Sequence, residues 1–164
     1  MVSTVSLKDK KGFTIVELLI VIVVIGILAT LVIVTFTGIQ QKGRNSQRQT
    51  DINAINSHVE AFQAQNGAYP TLTQIQNAAW RAKYMKGLDP DALLAPNSTT
   101  AITSTASTKD KYQYAPTEDD GTTACAGTDV TTTGDAPVVD LTCTKFKLSS
   151  LLEGSATPYA KQSN

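Results

Sequence analysis

The stretch KGFTIVELLIVIVVIGILA, residues 11 to 29, decides how the rest of the chain is read. It follows a polar start, MVSTVSLKDKKG, in which Lys8, Lys10 and Lys11 cluster around Asp9. At Phe13 the chain turns apolar at once, admits one acid at Glu17, and then carries no ionisable side chain from Leu18 to Gln41, a run of 24 residues. At about 1.5 Å per helical residue that run reaches roughly 36 Å, enough to cross the roughly 30 Å hydrocarbon layer of a bilayer. The run argues against a fully soluble enzyme.

A secretory signal peptide also joins a basic start to an apolar middle. Here the apolar run exceeds the 7 to 15 residues of such a signal, holds a carboxylate near its start and is followed by no A-x-A site; Ala29 and Gly38 are the nearest small residues. Glu17 is the residue that needs a reason, because a carboxylate within the membrane part of a helix costs roughly 2.5 to 3.5 kcal/mol. Two readings are open. In one, Glu17 lies close enough to the start of the run to reach back to the headgroups. In the other, proteolysis after Gly12 exposes an α-amine at Phe13, and the Glu17 carboxylate pairs with that cation on its own or a neighbouring subunit, setting register between subunits.

These residues resemble the class III signal and N-terminal helix of type IV pilins and of the pseudopilins of type II secretion systems. The resemblance rests on a basic leader ending in Gly12, Phe13 after the cut, Glu17 four residues on and Gly26 inside the apolar helix. It implies a membrane-embedded prepilin peptidase that cleaves between Gly12 and Phe13 and methylates the new Phe13 amine, with Glu17 as the assembly carboxylate. It also implies an assembly ATPase, a membrane platform protein and a homo-oligomeric filament as partners. The precursor is then expected in the cytoplasmic (inner) membrane with its amino terminus inside. The assembled form is expected in an extracellular pilus or an extracytoplasmic pseudopilus. Lys8, Lys10 and Lys11 agree with a cytoplasmic amino terminus, although Lys42, Arg44 and Arg48 beyond the run dilute the charge rule. The chain departs from many type IV pilins at Val34, where they carry the proline that commonly accompanies stretching of the helix between the positions of Gly26 and Thr37.

Outward from the apolar run, Gln40 to Asp51 reads QQKGRNSQRQTD and offers no apolar stripe, so it is expected to be a solvated stretch of helix or a hinge. Ile52, Ile55, Val59 and Phe62 then restore a helical stripe, with His58 beside it, and Asn66-Gly67 followed by Pro70 stops the helix. The spacing therefore predicts a helix from Phe13 to about Asn66. The boundary AFQAQNGAYPT, residues 61 to 71, again resembles pilins and pseudopilins, and makes Tyr69 a packing residue. Residues 74 to 97 read as one or two short helices separated at Gly87, and NSTTAITSTAST, residues 97 to 108, as a Ser/Thr-rich surface loop. Strand signals lie at residues 111 to 115, 137 to 141 and 143 to 152, predicting three or four short antiparallel strands over the helix stripe. The expected class is α+β, a long N-terminal helix packed on a small sheet. Its expected parts are a leader (1–12), an apolar membrane and assembly helix (13–37), an amphipathic second half (38–66) and a head (67–164) with a disulfide loop at 125–143.

The whole chain of 164 residues balances 14 basic against 14 acidic side chains, and without a basic surplus it lacks the charge that binds nucleic acid through phosphates. Removing the leader leaves 11 basic and 13 acidic groups. The polar remainder is rich in Thr and poor in large apolar groups, so its core is small and gains from a covalent clamp between Cys125 and Cys143. Two unpaired buried thiols are the alternative; pilins often carry a carboxy-terminal disulfide loop, and the resemblance favours the pairing.

Catalytic chemistry finds few candidates. The single histidine, His58, stands beside a packing stripe without a nucleophile motif, and the cysteine spacing does not suit zinc. Glu118, Asp119 and Asp120 with Gly121, and Asp89 with Asp91, are hard oxygen groups that calcium accepts, but they match no fixed calcium motif, which favours reading them as solvated acidic turns. No cofactor is expected. The leading functional expectation is a structural pilin of a type IV pilus-like filament, not an enzyme. A pseudopilin whose filament drives protein export is the alternative within the family, and a membrane-anchored extracytoplasmic binding domain that never polymerises is the alternative from another class.

Overall fold

A computed structural model describes residues 12–125, 127–134 and 136–163; the leader, with Lys8, Asp9, Lys10 and Lys11, lies outside them, as does the side chain of Val34. The element order is α1 (Ile15–Asn66), α2 (Leu72–Gln76), α3 (Ala78–Tyr84), a short 3-10 helix (Pro90–Leu93), β1 (Gln113–Thr117), β2 (Lys145–Ser150) and β3 (Tyr159–Gln162). This is the expected α+β arrangement of one long helix with a small antiparallel sheet. Packing divides the chain into two compact units, one ending at Gln40 and one beginning at Gln41.

The first unit is the apolar part of α1. It is the one helix among the described residues long and apolar enough to cross a membrane, and none of its apolar window is covered by protein. Leu18, Ile22, Leu28 and Phe36 are each more than half exposed. Side chains of this kind left bare in water are unfavourable, and a surrounding of lipid or of other helices removes that cost.

The second unit is the head. At its top α1 ends as its residues dictate: Gly67 takes a left-handed conformation (φ 81°) that a side chain resists, and its N–H closes on the Gln63 carbonyl at 2.7 Å. Ile52, Ile55, Val59 and Phe62, the predicted stripe, are buried in one cluster with Trp80, Tyr112, Tyr114, Phe146 and Leu148. Aromatic pairs run through this core, Phe62 on Trp80 at 5.1 Å and Tyr69 on Phe146 at 4.8 Å between centroids, each contributing about 0.5–1.5 kcal/mol beyond burial. Tyr69 packs as expected and also donates to Glu60 at 3.1 Å; burial, then the Glu60 charge, pushes its hydroxyl up to about 12.

The sheet order is β1-β2-β3, both pairings antiparallel, with Pro116 opposite Phe146 and Ser149 opposite Ala160. Cys125 and Cys143 form a disulfide with Cα atoms 5.6 Å apart, and Cys143 is fully buried in the core.

Four expectations need correction. The polar stretch after the membrane run is not simply solvated: Arg48 is 2% exposed, and the stretch has a buried polar face described below. The short helices divide at Asn77, not only at Gly87, because the Asn77 side chain caps α3 by accepting from the Trp80 N–H at 2.9 Å while its own N–H ends α2. Residues 137 to 141 form no strand; the Val138 carbonyl accepts instead from the buried Gln74 amide at 2.7 Å. β3, unanticipated, pairs along β2; its residues Tyr-Ala-Lys-Gln do not alternate apolar with polar, although their burial alternates once paired.

Candidate functional site

The residues singled out for processing and assembly stand together at the start of α1. Gly12 and Phe13 precede the helix in exposed chain, and Phe13 is 83% exposed. Thr14 begins the helix. Its hydroxyl accepts from the Glu17 N–H at 3.2 Å, while its own N–H and hydroxyl each donate to Glu17 Oε2 at 2.8 Å. This is a reciprocal capping box, Thr14-Ile15-Val16-Glu17, in which two otherwise unpaired backbone donors at the helix start are satisfied. The Thr-x-x-Glu spacing of this box is legible in the sequence.

The arrangement has chemical consequences. Glu17 sits at the positive end of the helix dipole, where a carboxylate is favoured, and its Oε1 has no partner among the described residues. One carboxylate oxygen is thus spent on Thr14 and the other is open to a further donor. Gly26, farther along, has no atom within 4 Å of where a Cβ would stand, so the helix offers a bare notch on that side.

Below the head core, the polar face of α1 builds a second constellation. Gln41 and Asn45 amides donate to the Glu153 carbonyl at 2.8 and 3.0 Å, and the Glu153 N–H returns a bond to Asn45 Oδ1 at 2.9 Å. Arg44 grips the Glu153 carboxylate with two bonds, at 2.7 and 2.6 Å, and Arg48 adds a contact at 3.0 Å and a bond to the Lys109 carbonyl at 2.9 Å. The Arg44 bonds, ahead of Arg48, hold the Glu153 carboxyl down to about 2. Helical spacing of polar residues was the available signal, but what they clasp comes from the far end of the chain.

The remaining candidates are apart from both. His58 is half-buried, its Nδ1 2.9 Å from the Ala54 carbonyl. Asp120 accepts from the Thr122 and Thr123 N–H groups, both at 2.8 Å, and the hydrogen bonds to Thr123 lower its pKa most. Asp119 lies 3.7 Å from Lys145, and Asp89 caps the 3-10 helix. Among the described residues no group of three or more His, Cys, Asp or Glu side chains is gathered as for a metal ion. These acids serve turns and caps.

The model of the prokaryotic N-terminal methylation motif matches residues 7–33. Similar curated proteins include the type II secretion system core protein G of Dickeya chrysanthemi, 35% identical over 67 residues, covering 41% of this chain and 44% of that one. That of Escherichia coli K12 is 35% identical over 65 residues, covering 40% and 45%. That of Vibrio cholerae is 32% identical over 68 residues, covering 42% and 47%. The chain spans less than half the length of these relatives, and no solved structure matches. A methylation motif at the start, a long amino-terminal helix and a small antiparallel sheet thus accompany a similarity to type II secretion system core proteins G over about two fifths of this chain.

Proposed function

We propose that this chain is a structural filament subunit of the pseudopilin kind, cleaved between Gly12 and Phe13, methylated at the Phe13 amine and polymerised through α1. The observation that carries the proposal is the uncovered apolar length of α1, much of which lies within the matched methylation motif, residues 7–33. The parts of the chain then act as a leader (1–12), an assembly helix (13–37), a helix half bound to the head (38–66) and a head (67–164). The partners are further copies of the chain, a prepilin peptidase, an assembly ATPase and a platform protein. The apolar helix fits anchoring in the cytoplasmic membrane before assembly.

The physics of such assembly is distinctive. Helices leaving lipid for a filament core gain little from the hydrophobic effect, because lipid tails are as apolar as leucine, so packing and polar pairing carry specificity. An amine at Phe13 and the open Oε1 of Glu17 supply one such pair between subunits, and Thr14 keeps the carboxylate aimed along the helix start until the amine arrives. A filament subunit of this kind acts structurally, and no step here calls for catalysis by the head.

The names of the relatives favour a secretion pseudopilus over a surface pilus. A type IV pilin remains the second reading, favoured by the Cys125–Cys143 disulfide in the carboxy-terminal third. Electron microscopy of fibres sheared from cells, labelled with antibody to the head, tests the proposal: labelled fibres are expected, and a chain that stays in the membrane as single copies when the assembly machinery is present refutes it.

A further inference from the structure

On the head, α1 and the turn after α3 enclose a cleft of about 490 Å³. His58, Phe62 and Gln65 line it from α1, and Lys83, Tyr84 and Lys86 from the other side. Every ionisable acid–base side chain among the described lining residues, apart from the Tyr84 phenol, is a lysine or the histidine. Lys83 donates to the carbonyls of Thr132 and Gly134 and stands 5.3 Å from the Tyr84 ring centroid. Neither Lys83 nor Lys86 forms an ion pair among the described residues, and Lys86 is exposed. Among the described residues the cleft thus carries cationic side chains beside an aromatic ring and no acidic side chain.

The same head carries the opposite feature on a different element. Beyond β1, the Glu118 N–H bonds to the Thr123 carbonyl at 2.9 Å and Thr117 bridges Ala124, forming a tight turn through Glu118, Asp119 and Asp120. Asp120 is consumed inside the turn by Thr122 and Thr123. Glu118 has no side-chain partner among the described residues, and the Asp119 side chain is 92% exposed with only a loose pair to Lys145 at 3.7 Å. The turn therefore carries two carboxylates, Glu118 half-buried and Asp119 exposed.

An open helical polymer of one chain needs a heterologous contact, two different faces that complement each other from copy to copy. We propose that the Glu118–Asp119 turn of one copy docks in the His58–Lys83–Lys86 groove of the next, a head-to-head contact that sets spacing along the filament. The inference rests on the filament reading above and deepens it. Facing charges favour this register, and like charges brought together strongly oppose it.

The test uses full-length chain in cells with the assembly machinery, comparing sheared-fibre mass for wild type, Lys86→Glu, Glu118→Lys with Asp119→Lys, and the combination of all three. Lys86 and Glu118 are partly or fully solvated and Lys83 is left intact to hold its carbonyls, so the head keeps its fold; its melting temperature in each variant checks this. Each reversal alone is expected to lower fibre mass by roughly tenfold, and the combination to restore most of it. Normal fibre mass in the separate variants overturns the contact while leaving the filament reading standing. Normal fibres with lost export of another protein overturn it too, assigning the groove to an acidic exported partner. Fibres absent from wild type overturn both readings.

Discussion

The guanidinium of Arg48, 2% exposed, lies 3.0 Å from the carboxylate of Glu153, tying the polar face of the long helix to a turn near the end of the chain. The same guanidinium donates to the Lys109 carbonyl at 2.9 Å, and its Nε has no partner among the described residues. A buried charge so placed adds less net stability than its contact distance suggests, because desolvation offsets attraction, but removing one partner leaves the other exposed to the full cost.

Replacing Arg48 with alanine strips a counter-charge from Glu153 and a donor from Lys109. The expected loss is about 2–3 kcal/mol of head stability, read as a fall in the denaturant midpoint of the full chain in detergent. Arg44→Ala, at a more exposed position, is expected to cost less. An Arg48→Ala midpoint equal to wild type refutes the clamp.

Acid should act through the same clasp. Hydrogen bonds from Arg44, then Arg48, lower the Glu153 carboxyl from its ordinary 4.5 to about 2, so the folded state binds that proton more weakly than the unfolded state. The stability it contributes is complete above about pH 4.5 and declines as pH falls towards 2. Thermal melts between pH 6 and 2 should show wild type losing stability faster than Glu153→Gln in this window; parallel curves would place the acid sensitivity elsewhere.

The Cys125–Cys143 disulfide closes a loop of separation 18 in a head with a modest core. The double replacement Cys125→Ser with Cys143→Ser is expected to cost about 3 kcal/mol, the entropy of a loop of this length in the unfolded chain. Calorimetry of both proteins measures it, and an unchanged melting temperature contradicts the clamp.

Under the proposed pairing with the Phe13 amine, Glu17→Lys sets a cation against a cation, and it breaks the box with Thr14. Labelled fibres should vanish while the head melts at its wild-type temperature, because Glu17 belongs to the unit that ends at Gln40 and the core to the unit that follows. Normal fibre mass from this variant excludes Glu17 from register.

These outcomes also mark what the sequence makes visible. The apolar run, the Ile52–Phe62 stripe and the Gly67 stop are legible because each states its own local physics: hydropathy, period and a left-handed turn. The clasp on Glu153 is not, since a helix face of Gln41, Arg44, Asn45 and Arg48 reads as solvated until the chain's far end supplies a carboxylate and a carbonyl. β3 is hidden for a related reason: Tyr159–Gln162 is too short and too polar to announce a strand, and its pairing comes from β2. At the start of α1 the Thr14–Glu17 reciprocity is written in the sequence as a Thr-x-x-Glu spacing, the signature of an ordinary helix cap.

Processing at the amino terminus tests the central claim most directly. Intact-mass spectrometry of the chain recovered from cells that hold the peptidase should give one mature species beginning at N-methylated Phe13, with Gly12 and everything before it gone. A chain still beginning at Met1, or one cut near Ala29, would contradict the account.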